Sequence, residues 1–119
     1  MRLRSLWIAF AALVPSCGVA IAQDVAAGEK VFLKCKVCHQ VGEGAKNGVG
    51  PVLNGIVGRK AGSIEGYNYT PANKNSGLTW DEPTMKEYLK NPRAKMPNEA
   101  DIENIIAYLK QFGPDGKKS

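Results

Sequence analysis

Cys35, Cys38 and His39 are the densest group of reactive side chains in this sequence, standing together as Cys35-Lys36-Val37-Cys38-His39. On one helical turn, residues three apart point to the same side. Both sulfurs can therefore meet one object, with the imidazole of the next residue carried beneath it. Two thiols so spaced can form thioethers with the two vinyl groups on one edge of a porphyrin, leaving a His39 nitrogen aimed at the iron. C-x-x-C-H is the attachment pattern of c-type haem. A structural zinc site needs four ligands, and beyond residue 22 the chain has no Cys or His except these three. A thioredoxin-like dithiol opens a helix behind a parallel strand, and no strand pattern precedes Cys35.

His39 is the single histidine of the chain, so bis-histidine ligation from this chain is excluded. Methionine is the next common axial partner. Met85 shares a helical face with Tyr88 and Leu89, which suits a core position. Met96 lies in Lys95-Met96-Pro97, between two helices, and is the candidate sixth ligand. The alternative is a packing or exposed Met96 with the iron open or otherwise ligated.

The elements that must position these groups are helical. Asp24 can cap a helix from Val25, on which Val25, Gly28, Phe32 and Cys35 form one stripe. Gly28 is costly in a helix interior, by roughly 1 kcal/mol against Ala, unless another helix approaches there. Residues 40 to 79 contain nine glycines and no sustained period. So long a loop is unusual in a small domain and makes sense if it wraps a cofactor. Within it, Thr70 and Pro71 predict a short helix. Asp81 can cap a helix from Glu82 to Lys90, stopped by Asn91-Pro92. Asn98 can cap a last helix from Glu99 to Phe112, with Ile102, Ile105, Ile106, Leu109 and Phe112 as its apolar stripe. Asp115 to Ser119 reads as a polar, frayed tail.

The 119 residues allow one domain. Residues 1–22 have a basic start (Arg2, Arg4), an apolar run from Leu6 to Val14, and Ala20-Ile21-Ala22 before Gln23. This is the pattern of a cleaved export signal. An uncleaved anchor is the alternative, but the run is broken by Pro15 and falls short of the roughly 20 residues of a span. The mature domain is then residues 23–119. Arg2 and Arg4 leave with the signal, so fourteen basic side chains face eleven acidic ones. Cys17 leaves too. An exported dithiol would otherwise oxidise, which again suggests that another group holds Cys35 and Cys38. The modest charge and the lack of a base-stacking array exclude nucleic acid as a partner.

Several patterns in order then resemble class I c-type cytochromes, in particular the mitochondrial-type branch and its soluble bacterial relatives. They are C-K-V-C-H, G-P-V-L (50–53), G-R-K-A-G (58–62), G-Y-N-Y-T-P-A-N-K (66–74), Trp80, E-Y-L-K-N-P (87–92) and I-A-Y-L (106–109). The resemblance implies an all-α cytochrome c fold, with three main helices and a short one wrapped around one covalent haem. It implies that Gly28 and Phe32 cross the last helix near Tyr108. It also implies that the Pro51 carbonyl bonds to the second nitrogen of His39, and that Arg59, Tyr69, Asn73 and Trp80 surround a haem propionate. Leu53, Tyr88 and Leu89 would line the pocket, with Tyr88 near the methionine sulfur. One departure stands out: the approach Pro92-Arg93-Ala94-Lys95-Met96 is short, as in small bacterial cytochromes.

The resemblance further implies a soluble, monomeric carrier of single electrons and no catalyst, working in the bacterial periplasm between exported or membrane-bound redox proteins. A histidine–methionine iron has no open position, which suits this role. Lys34, Lys36, Lys46, Arg93 and Lys95 would form a basic rim that steers partners with acidic docking surfaces. A gas-binding or weakly peroxidatic haem is the alternative if Met96 does not hold the iron, and a subunit of a larger redox enzyme would carry the same site.

Overall fold

The computed structural model describes residues 24–91, 96 and 98–119. The expected export signal, residues 1–22, lies outside them, as do Pro92 to Lys95 and Pro97. Four helices follow in order: α1 (Val25–Phe32), α2 (Pro71–Lys74), α3 (Glu82–Leu89) and α4 (Glu99–Lys110). Among the described residues the only β pairings are isolated bridges, Lys60 with Thr79 and Phe112 with Lys118.

Each helix begins where a short polar side chain can satisfy its free N–H groups. Asp24 accepts from the Ala27 amide at 3.1 Å, Thr70 from Asn73 at 3.3 Å, Asp81 from Thr84 at 2.9 Å and Asn98 from Asp101 at 2.9 Å. The long helices end slightly before the sequence pattern does, because Lys90 and Gln111 act as C-caps.

The core lies where α1 crosses α4. A Cβ on Gly28 would run into the Asn104 carbonyl and lie 2.8 Å from the Tyr108 Cβ. The missing side chain is what lets the two backbones meet. Phe32 then packs at a tilt on Tyr108 with centroids 5.4 Å apart, and Tyr108 meets Phe112 edge-to-face at 5.3 Å. The Asp24 amide donates to Asn104 Oδ1 at 3.0 Å, tying the start of α1 to α4. The predicted stripe of α4 is the centre of this core: Ile105 and Ile106 are 1% and 0% exposed. Burying such side chains stabilises by about 1.5–3 kcal/mol each. The short α3 is set against α4 by Met85, which is buried, and by the pairs Lys86–Glu103 (2.8 Å) and Lys110–Glu82 (2.5 Å).

The tail differs from expectation. Residues 113–119 turn back and pack. Gly113 N–H donates to the Lys117 carbonyl at 3.1 Å, Asp115 Oδ1 accepts from the Lys117 amide at 3.0 Å, and Ser119 N–H reaches the Gln111 carbonyl at 3.0 Å. Gly116 has φ 79° and is buried against the backbone of Gly42. Gly113-Pro114-Asp115-Gly116 is a set of turn formers, and the turn holds because the loop after α1 supplies a surface for it.

Candidate haem site

A cavity of about 430 Å³ opens between the turn after α1, the long loop and α3. The chain past α1 keeps helical bonding without forming a further regular helix. Lys36 N–H donates to Phe32 O at 2.9 Å, and Cys38 and His39 both donate to Cys35 O, at 3.0 and 2.9 Å. This coil puts Cys35, Cys38 and His39 on one wall. Both cysteines are free and half-buried. Burial pushes the Cys35 thiol up from its ordinary value, against the opposing pull of Lys34 and with a small further rise from Cys38.

The loop reaches the same wall from below. Gly50 N–H donates to Cys38 O at 2.8 Å. A Cβ on Gly50 would collide with the His39 ring, 2.7 Å from Nδ1, so this glycine lets the imidazole lie flat on the backbone. The next residue, Pro51, places its carbonyl 2.7 Å from His39 Nδ1. A carbonyl only accepts. Nδ1 therefore carries the proton and donates it, leaving Nε2 with a lone pair. A bond of this kind fixes the ring and raises the basicity of a ligating histidine.

Arg59 also lines the cavity, with Tyr69, Asn73 and Trp80. Its Nη1 donates to the Val52 and Asn54 carbonyls at 2.8 and 3.1 Å. Its Nε is buried without a partner, and so is Asn73 Oδ1. Burial lowers the Arg59 pKa from its ordinary value, with Tyr69 acting in the opposite direction. The Tyr69 hydroxyl accepts from the Ile64 amide at 3.1 Å, which leaves its own proton to donate. Trp80 packs edge-to-face on Tyr88 at 5.1 Å. Leu53, Ile56, Met85 and Leu89 complete an apolar wall. Tyr88 faces the cavity and is 58% exposed.

Met96 is placed differently from the other predicted site residues. It is half-buried and packs against the hydrophobic core, and it is not among the described residues lining the cavity. Tyr67 and Val49 do line the cavity and were not singled out from the sequence. Tyr67 donates its hydroxyl proton to the Val49 carbonyl at 2.7 Å and meets Tyr69 edge-to-face at 4.8 Å. The signal was the aromatic alternation Tyr67-Asn68-Tyr69, within a loop otherwise poor in aromatics.

Known proteins are similar to this chain in sequence and fold. The family model for cytochrome c matches residues 25–113. The chain belongs to the cytochrome c family. A cytochrome c2 of Rhodoblastus acidophilus is 59% identical over 107 residues, covering 82% of this chain and all of that protein. A cytochrome c2 of Blastochloris viridis is 48% identical, covering 98% of this chain and 99% of its own. Among solved structures, cytochrome c2 from Rhodospirillum centenum aligns with a TM-score of 0.71 at 38% identity, covering 76% of this chain and 99% of that one. Cytochrome cH from Methylobacterium extorquens aligns at 0.64 and 45% identity, covering 73% and 97%.

As a cytochrome c, the chain is an electron carrier with one covalent haem c attached through cysteines, and Cys35 and Cys38 are the cysteines present at the site. The residues fit that group. Two thiols and a lone-paired imidazole nitrogen share one wall. A large apolar surface, including exposed Tyr88, faces the cavity. Among the lining residues, Arg59 Nε offers an unpartnered buried N–H, which a carboxylate would satisfy.

Proposed function

We propose that this cytochrome c passes single electrons between exported or membrane-bound redox proteins, with its iron held by His39 and Met96. The observation that carries the reading is the Nδ1-protonated His39, fixed by Pro51 and free at Nε2 beside both thiols. When bound, haem c supplies a one-electron iron(III)/iron(II) couple. The residues around it orient and tune it. His39 gives a permanent nitrogen ligand. Met96 would supply a thioether to the iron, a ligand that favours the ferrous state. Leu53, Met85 and Leu89 exclude water, while Arg59, Tyr69, Asn73 and Trp80 hold a propionate. Held by His39 and Met96, the iron would offer no position to a substrate, which suits a carrier and not an enzyme.

Partners are redox proteins with acidic docking surfaces, met by a monomer. Lys34, Lys36 and Lys46 are exposed around the thiol wall; Arg93 and Lys95 lie outside the described residues. The site of action is the bacterial periplasm, reached through the export signal at residues 1–22. No helix among the described residues is long and apolar enough to cross a membrane.

The gas-binding or weakly peroxidatic reading draws on the position of Met96 away from the cavity lining. Carbon monoxide separates the two. Added to the reduced, haem-loaded protein at neutral pH, it should leave the Soret band unchanged, and it should bind readily to the Met96→Ala variant. Ready binding to the unaltered protein would mean an open or labile sixth position and would overturn the carrier reading. Equal resistance in the variant would exclude Met96 as the ligand.

A further inference from the structure

The loop that holds His39 contains the dipeptide Asn-Gly twice, at Asn47-Gly48 and Asn54-Gly55. Asn-Gly is chemically labile. The backbone nitrogen of the glycine, unhindered by a side chain, attacks Cγ of the asparagine. The new N–Cγ bond forms as Cγ–Nδ2 breaks, and the proton of the glycine amide leaves with Nδ2 as ammonia. Water then opens the succinimide at either carbonyl, giving aspartate or isoaspartate. The reaction requires that the glycine N–H be released from any hydrogen bond and that the asparagine side chain be free to swing onto it.

The two sites are held very differently. Asn54 is 8% exposed, and its amide makes a reciprocal pair with Gly42, accepting from its N–H at 2.8 Å and donating to its carbonyl at 2.9 Å. The Gly55 N–H donates to the Phe112 carbonyl at 3.0 Å, fifty-seven positions along the chain. Pro114 covers Gly55, lying 3.1 Å from where a Cβ would sit, and Gly116 covers Gly42 from the same turn. Releasing Gly55 therefore means lifting residues 113–119 off the loop. The bond that holds Gly48 is local: its N–H donates to Gly50 O at 2.9 Å, two residues on, and Gly48 itself is exposed. Asn47 is half-buried. Its Oδ1 accepts from the Val52 amide at 2.9 Å, while its Nδ2 makes a long bond to Glu65 O at 3.3 Å. A short local opening frees this site, and local openings cost far less than displacing a packed segment.

We infer that Asn47 is a site of spontaneous deamidation in the folded protein, and that the C-terminal turn withholds the same chemistry from Asn54. The consequence falls on the haem site. Isoaspartate at position 47 inserts an extra backbone atom three residues before Gly50 and removes the acceptor that positions Val52, beside the carbonyl that holds His39. The C-terminal turn, for its part, keeps a buried carboxylate from forming against the Gly42 carbonyl.

Trypsin releases residues 47–59 as one peptide, because Lys46 and Arg59 bound it; fragment ions then assign the new acid to position 47 or 54 in a single measurement. The haem-loaded full chain is aged at mildly alkaline pH, natively and in urea. Natively, position 47 should convert at least about tenfold faster than position 54, the ratio given by about 1.4 kcal/mol of difference in opening. In urea the two should convert at similar rates. Equal native rates, an earlier conversion at 54, or no native conversion at 47 while the unfolded chain converts would each overturn the inference. The same preference in urea would assign it to local sequence and also overturn it. Deleting Pro114 to Ser119 should speed position 54 and spare 47. Should that deletion not fold, amide hydrogen exchange in the intact chain decides the role of the turn: Gly55 must exchange more slowly than Gly48.

Discussion

His39 shows how one side chain acquires its role from two backbone groups. Pro51 supplies a carbonyl at 2.7 Å and Gly50 supplies a flat surface. Proline lacks an N–H but keeps a full acceptor, and glycine alone leaves room for the ring. Gly50→Ala should therefore disturb the ligand directly. The added methyl forces the imidazole to tilt, lengthening its bond to Pro51 and costing about 1–3 kcal/mol of stability through overpacking. The expected outcome is a lower melting temperature together with a changed reduction potential. A variant with both unchanged would mean that the ring is not confined as described. Arg59 works at the same scale: its Nη1 ties the Val52 and Asn54 carbonyls together, while its buried Nε keeps an N–H without a partner, which suits the proposed contact with an anionic group.

At the scale of elements, caps and crossings decide where the site residues fall. Gly28 sets the depth of the α1–α4 crossing and hence the height at which the C-x-x-C-H turn leaves α1. Asp81 does the same for α3, which brings Met85, Tyr88 and Leu89 to the cavity. Hydrogen bonds from Thr84, through its side chain and its backbone amide, hold the Asp81 carboxyl below its ordinary value of 3.8. A group depressed on folding contributes stability that is present above its unfolded pKa and lost as pH falls through the folded one. Asn caps about as well as Asp but does not titrate. Asp81→Asn should thus melt like the parent at neutral pH and lose less stability on acidification below about pH 4. Melting curves across an acid series check this; parallel acid limbs for the two proteins would show that the cap carries no pH dependence.

For the molecule as a whole, the distribution of charge bears on how an electron is exchanged. Lys34 and Lys36 flank Cys35 and are exposed, as is Lys46, while Glu82 and Glu103 are tied up in ion pairs between α3 and α4. Under the proposed carrier role, Lys34 and Lys36 stand beside the cysteines at which the haem edge would be reached. Such charges steer partners over about 10 Å at 0.1 M salt and less at higher salt. Oxidation of the reduced protein by an anionic metal complex should slow as salt is added, and oxidation by a cationic complex should accelerate. The double change Lys34→Glu and Lys36→Glu should weaken both trends. Salt responses that do not depend on the sign of the reagent would place the exchange edge away from these lysines.

The sequence by itself determined the covalent chemistry and the helices. Cys35, Cys38 and His39 lie within one turn, so their mutual geometry follows from helical spacing, and the four caps lie within three residues of the amides they satisfy. Local interactions of this kind do not depend on the rest of the chain. The roles of Pro51, Arg59, Tyr69, Asn73 and Trp80 came from resemblance and not from spacing, because twelve residues or more separate His39 from its carbonyl and from the polar end of the cavity. Only the folded chain decided that Tyr67 bonds to Val49, that Met96 packs on the core, and that residues 113–119 close over Gly42 and Gly55. Each of these joins segments whose meeting depends on the path of a glycine-rich loop, which has no hydrophobic period to reveal it. The tail packs against expectation for the same reason: its turn-forming residues are local, but the surface that holds the turn lies about sixty to seventy-five residues back along the chain, supplied by two glycines with no side chains to keep it off.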